Sequence, residues 1–202
     1  YLQKINLHGN ASIAVEALLT DAAGNIWVGD LNALYKITTK DIRNIKKQSF
    51  TNIQLFPFAD FNKRVFSIAI DKQQNIYLGS FDAVYKIAAG KNSYEVIWKN
   101  NDPTHPVRSV AATSSDSIFW NCLDLLPVQM IKGKIYKSTT NNFIGRTVFT
   151  YKNEAFALTT NGVASYNETL QPLVSFTSKT NNAVTALIDA EENIWIGTWE
   201  GL

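Results

Sequence analysis

Cysteine is all but missing. Cys122 stands alone among 202 residues, so neither an internal disulfide nor a cysteine-based metal site can form, and thiols give no reading of the redox compartment. No apolar run approaches the roughly 18 residues of a membrane helix, and Tyr1-Leu2-Gln3-Lys4 lacks the apolar stretch of a signal peptide. Ten glycines and five prolines are too few for a collagen-like or linker-like chain. Neither charge sign dominates: 19 Lys+Arg against 17 Asp+Glu leave +2, too little and too evenly mixed for a nucleic-acid or polybasic membrane binder. Only two histidines occur, His8 and His105, and neither sits at zinc or triad spacing. Gly-rich phosphate loops and Gly-x-Ser-x-Gly elbows are absent, so no catalytic residues, metal or cofactor are expected. What is present is 46% apolar and 12% aromatic, which argues for a packed core rather than disorder.

The chain repeats itself. Residues 21–37 read DAAGNIWVGDLNALYKI, residues 71–87 read DKQQNIYLGSFDAVYKI, and residues 189–202 read DAEENIWIGTWEGL. Two weaker copies begin at Ser117 and Glu154. Anchored on Asn25, Asn75, Ser117, Glu154 and Asn193, the spacings are 50, 42, 37 and 39, so five units cover nearly the whole chain.

Within a unit the period is that of strands. Ile26 and Val28 alternate with Trp27 and Gly29, and Ile76 and Leu78 with Tyr77 and Gly79, with both faces apolar as in a sheet packed on two sides. Turn signals separate the strands. The second unit is predicted to have strands at 65–70, 76–80, 83–87 and 94–99, and the third at 107–113, 118–122, 128–131 and 134–138. Only residues 37–45 carry a weak helical pattern. Four short antiparallel strands per unit of about 40 residues, repeated, predict an all-β chain: a β-propeller built of four-stranded blades. Residues 1–202 form one such segment. Residues 1–7 look like an outer strand, and the chain stops where the third strand of the fifth unit should begin. A partial ring is therefore expected, about four and a half blades, with the remaining blades of the same chain as partners.

The pattern Asp-x-x-(Gly)-Asn-Ile-Trp-Val/Ile-Gly-Thr-x-x-Gly-Leu resembles the two-component regulator propeller repeat. It is carried by Asp21, Gly24, Asn25, Trp27 and Gly29; by Asp71, Asn75 and Gly79; and by Asp189, Asn193, Trp195, Gly197, Thr198, Gly201 and Leu202. Asp30 and Ser80 replace the Thr, and Ala33 and Ala83 the late Gly. The resemblance implies the periplasmic sensor region of a bacterial, often hybrid, sensor histidine kinase. In that family two propellers precede a smaller β domain and one membrane helix, and many members respond to oligosaccharides. It further implies a periplasmic location, a possible homodimer through the parent receptor, and no catalysis by this segment. The alternatives are a noncatalytic interaction scaffold and a lactonase- or lyase-type propeller enzyme.

Trp27, Tyr77, Phe119, Phe156 and Trp195 recur at one position, which marks them as packing residues between blades. Asp21, Asp71 and Asp189 open tight turns. Glu191, Glu192 and Asp60 are read as solvated acids rather than an axial metal centre, and Cys122 as a buried small hydrophobe. Residues that differ between units are the candidates for recognition. Loops joining second and third strands share a face with loops joining successive blades. That face collects Asp30, Asn32, Phe81, Asp82, Trp199 and Glu200 with Lys63, Arg64, His105, Arg108 and Arg146. Aromatic plates beside amides and carboxylates suit a sugar, so Phe81, Asp82, Trp199, Glu200, Asp30, Asn32 and Arg108 are the candidate ligand-binding residues. Phe81 and Trp199 could instead cover blade seams.

Overall fold

A computed structural model describes residues 14–40, 43, 58–114, 116–137, 145–159, 162–166, 170–175, 183–189 and 191–198. The first unit forms β1 (Ala17–Thr20), β2 (Ile26–Gly29) and β3 (Leu34–Ile37). The second forms β4 (Ser67–Ile70), β5 (Ile76–Gly79), β6 (Ala83–Ile87) and β7 (Glu95–Lys99). The third forms β8 (Val107–Ser114), β9 (Ser117–Cys122), β10 (Val128–Ile131) and β11 (Lys134–Lys137). The fourth forms β12 (Gly145–Tyr151), β13 (Glu154–Thr159), β14 (Gly162–Tyr166) and β15 (Leu170–Ser175), and the fifth β16 (Ala183–Ile188) and β17 (Ile194–Thr198). Each unit is a separate antiparallel sheet with its strands in chain order, and among the described residues the sheets at the two ends are not paired with each other. The first strands β1, β4, β8, β12 and β16 pack side by side from sheet to sheet. That is the arrangement of blades about a propeller axis, here a partial propeller.

Predicted and observed strands agree to within a residue or two. The largest shift is at β4, which starts at Ser67 rather than residue 65 because Val65 donates its N–H out of the sheet, to Asp30 O of the preceding blade at 2.9 Å. Ile37 closes β3 rather than opening a helix; helical backbone begins only at Thr39 and Lys40. The strand expected at residues 1–7 lies outside the described residues.

Alternation within each second strand gives every blade a front and a back. Trp27 packs forward with Ile76 and Leu78, which point back from the second blade, in one cluster completed by Phe61, Tyr85 and Ile87. Tyr77 packs forward against Ile118 and Trp120, and Phe119 against Val148, Ala155 and Ala157. Phe156 continues the series against Ala186 and Ile196. Trp195 is the exception: it is 50% exposed, since no later sheet among the described residues covers its front.

The repeated aspartates do more than turn the chain. Asp21 accepts from Asn25 N and Nδ2 (both 2.9 Å) and from Trp27 Nε1 (3.0 Å). Asp71 does the same with Asn75 (both 2.8 Å) and Tyr77 Oη (2.9 Å), and Asp189 with Asn193 and Trp195 Nε1 (2.7 Å). The Asn side chain then fastens the end of the third strand: Asn75 Oδ1 accepts from Ala89 N at 3.0 Å. The carboxylate therefore satisfies the polar tip of the packed aromatic. Where the acid is lost, so is the tip: Thr113 and Thr150 stand in for Asp, and Phe119 and Phe156 for Trp or Tyr. At the turn's tightest point Gly24 has φ +77°, and Gln74 (66°) and Glu192 (69°) adopt the same left-handed backbone without being glycine.

Close approach between blades fixes a second position. A Cβ on Gly29 would lie 2.6 Å from Val65 Cγ1, and one on Gly79 2.7 Å from Val107 O. At the next junction the sizes are exchanged: Asn121 replaces the glycine, and the strand that meets it begins with Gly145, whose Cβ would lie 2.4 Å from Asn121 Nδ2.

Candidate functional site

The loop face forms where the second-to-third-strand connections meet the segments leading into the next blade. Main-chain bonds tie them together: Val107 N to Ser80 O (2.9 Å), Asn100 N to Asp82 O (2.8 Å) and Gly145 N to Leu125 O (3.1 Å). Phe81 projects from this face, 40% exposed, edge-on to Phe66 with ring centroids 4.9 Å apart. Asn32 is exposed beside its own turn. Trp199 and Glu200 lie outside the described residues.

Asp30 is placed differently from the expectation. It is 4% exposed, and its Oδ1 accepts from Asn32 N (2.7 Å) and Ala33 N (2.5 Å), so the carboxylate closes its own turn. Ser80 and Cys122 occupy the same register and are equally buried, which makes the position interior. Asp82 is engaged by Lys63 Nζ (2.6 Å) and Tyr85 Oη (2.8 and 2.9 Å). Burial pushes the Asp82 carboxyl up, but Lys63 and Tyr85 outweigh it and hold it below the usual range. The same contacts raise Lys63 to about 12, and burial followed by the bond to Asp82 raises Tyr85 to about 12.

Strand register exposes a set of residues that the repeat motif hides. Ala17, Ser67, Ser109, Thr147 and Thr185 pair with equivalent second-strand positions. The residues just before them are Glu16, Phe66, Arg108, Arg146 and Val184, one at the loop-face end of each inner strand. They differ in every blade except the two arginines. Glu16 is ion-paired with Arg64, and Arg146 with Asp124 at 2.8 Å. Phe66 carries two guanidiniums, Arg64 Cζ at 4.5 Å and Arg108 Cζ at 4.4 Å from its centroid, and Arg64 also reaches Phe81 at 5.7 Å. Arg108 has no carboxylate partner among the described residues. The alternation of one variable residue with a following Ala, Ser or Thr was available in the sequence as a signal for this ring.

Farther from the axis on the same face, a cleft of about 460 Å³ opens between the second and third blades. Its walls are Trp98 and Lys99 of β7, the 100–102 loop, Leu125 and Leu126, and Lys137 of β11, with Cys122 and Val128 beneath. Trp98 is held at 5.3 Å from Trp120, and Asn100 Nδ2 locks the loop by donating to the carbonyls of Phe81, Asp102 and His105 (2.9–3.0 Å). Burial pushes the Cys122 thiol up to about 11, which leaves it inert at neutral pH.

The remaining polar candidates are committed locally. His105 Nδ1 lies 2.8 Å from Asp102 Oδ2, and Thr104 and then His105 hold the Asp102 carboxyl below its usual range. Asp60 sits in the 3₁₀ turn Phe58–Asp60, and Glu192 pairs with Lys152 of the fourth blade. His8 lies outside the described residues. Among the described residues no group of three metal-type side chains converges, and no helix is long and apolar enough to cross a membrane.

No protein-family model and no curated protein sequence matches the chain. Solved structures do. The extracellular domain of a putative hybrid two component system from B. thetaiotaomicron aligns over 98% of this chain and 27% of its own, at 22% identity and TM-score 0.66. Virginiamycin B lyase from Staphylococcus aureus aligns over 94% of this chain and 64% of its own (12% identity, TM-score 0.68). A gluconolactonase from Xanthomonas campestris covers 90% and 68% (8% identity, TM-score 0.61). The chain thus spans about a quarter of the sensor domain it is similar to and about two thirds of the two enzymes. Likeness at these identities establishes architecture: this chain is a run of β-propeller blades, of the kind found both in a two-component sensor and in lyase and lactonase propellers.

Proposed function

We propose that this chain is a noncatalytic, ligand-sensing propeller segment of a periplasmic two-component sensor histidine kinase, and that its loop face recognises oligosaccharides. The observation that carries this reading is the division of labour between the two faces. Repeated residues are consumed by turns and blade packing, whereas the loop face sets the half-exposed Phe81 ring beside the Arg64 guanidinium, with Arg108 over the adjoining Phe66 and the ordered carboxylate of Asp82 next in the chain. A flat apolar ring covers the C–H face of a sugar, and polar groups around it meet hydroxyls. The repeat motif and the likeness to a sensor's extracellular domain support the signalling context. Binding would act by shifting a population between two arrangements of the receptor, by no more than its differential affinity for them. Calorimetric titration of the intact protein with neutral and acidic oligosaccharides tests this. Phe81→Ala should weaken binding about tenfold, a stacking contact's worth, while the melting temperature stays nearly unchanged. Unchanged affinity for a saccharide that does bind would remove Phe81 from recognition and put the interaction-scaffold reading ahead.

A further inference from the structure

The loop-face reading leaves open what kind of sugar is bound and where, and the cleft between the second and third blades bears on both. It has the volume of one or two sugar rings, about 460 Å³, and an indole wall in Trp98 that is braced from behind by Trp120 at 5.3 Å. Leu125 and Leu126 supply further apolar lining. Its charged groups are unequal. Asp102 is occupied by Thr104 Oγ1 (2.5 Å) and His105 Nδ1 (2.8 Å). Lys99 and Lys137, which come from different blades, are exposed and have no carboxylate partner among the described residues. Among the described residues that line the cleft, Lys99 and Lys137 are the cationic side chains and Asp102 the one carboxylate, so the lining is net positive.

We propose that this cleft binds an acidic sugar residue, its ring against Trp98 and its carboxylate held by Lys99 and Lys137. The proposal rests on the sensor reading and deepens it. A neutral sugar would find the plate but leave two cations unanswered; a small inorganic anion would answer the cations but not use the plate. Because the lysines stand on separate blades, an occupied cleft also fastens one blade to the next, a purely local contact with a consequence for the rigidity of the arc.

The test titrates the intact protein with a galacturonate trisaccharide, a glucuronate-containing trisaccharide, their carboxyl-reduced neutral counterparts, and sodium sulfate alone. At least one acidic trisaccharide should bind about tenfold or more tightly than its neutral counterpart. Lys99→Gln with Lys137→Gln should abolish that preference and the salt dependence of binding, with an unchanged melt because both side chains are exposed. Equal binding of acidic and neutral sugars, displacement by sulfate at equal concentration, an acidic preference that survives in the Lys99→Gln/Lys137→Gln variant, or no binding of either acidic trisaccharide would each overturn the proposal. If a neutral saccharide binds and depends on Phe81, the sensor reading stands while this one falls. If no saccharide of either charge binds, both fall together.

Discussion

The second and third blades solve one packing problem in two ways. In the second, the motif is complete: Asp71 clamps Asn75 and the hydroxyl of Tyr77, whose ring is 0% exposed, and Gly79 makes room for Val107. In the third, Thr113 and Phe119 replace acid and phenol, and room is made on the other side of the junction by Gly145 rather than in the second strand. The first solution places a buried charge under hydrogen-bond control; the second avoids the charge. Repeats that drift in sequence can therefore keep a blade, provided polar groups are lost in pairs and volume is exchanged across the seam.

The largest expected effect separates these solutions. Tyr77→Ala should destabilise by about 4 kcal/mol or more, since it empties the seam and deprives the buried Asp71 of a donor. Phe119→Ala should cost about 3 kcal/mol, the cavity alone, and Trp195→Ala, half exposed, about 1 kcal/mol. Chemical denaturation of the three variants gives the order, and equal losses would show that the clamp contributes nothing. Next comes the seam. Gly79→Ala forces a Cβ against a backbone carbonyl and should cost about 1–3 kcal/mol. Asn121→Gly combined with Gly145→Val should recreate the earlier junctions, and the Gly145→Val loss should shrink by about 1 kcal/mol or more in the double variant. Additive losses would mean the two positions do not share space.

Acid should loosen the first blade's clamp as well. Burial raises the Asp21 carboxyl, but Asn25 and Trp27 lower it by more, so the net shift is downward. A depressed carboxyl stabilises the fold above its unfolded value, near 3.8, and that contribution fades as pH falls through the lower folded value. Tryptophan fluorescence of Trp27 against pH, compared with Asp21→Asn, which should flatten the profile, measures it. The smallest effect is at the turn. Gln74 adopts φ 66° without being glycine, so Gln74→Gly should stabilise by about 0.5 kcal/mol in thermal melts, in contrast to Gly24→Ala, which should destabilise by about 1 kcal/mol.

Strands and blades were legible because a period-2 pattern recurred at regular spacing, and it put β6 and β10 at their observed ends. The clamp was half legible. Sequence marks Asp71 as a turn residue, and only the pairing of Asp with Trp or Tyr and of Thr with Phe hints that it reaches six residues on. Asp30 misleads because it looks like a loop acid; its interior register shows only when it is aligned with Ser80 and Cys122. The cleft could not be read at all. Trp98 and Lys137 are brought together by two blades, with no spacing in the chain that announces it.

The front-to-back character of each blade has a consequence for how such a chain can be rearranged. A seam whose forward partner presents the repeated aromatic and whose backward partner presents the two flanking apolar residues of its second strand is a head-to-tail joint, so in principle any blade can follow any other. The glycine exchange restricts that freedom. The first two joints share one size code, Gly29 with Val65 and Gly79 with Val107, and are interchangeable. The third carries the reversed code, so a duplicated second blade placed after the third would bring a valine against Asn121. Gene duplication or blade grafting can thus proceed within the first two joints, whereas crossing the third requires two simultaneous changes.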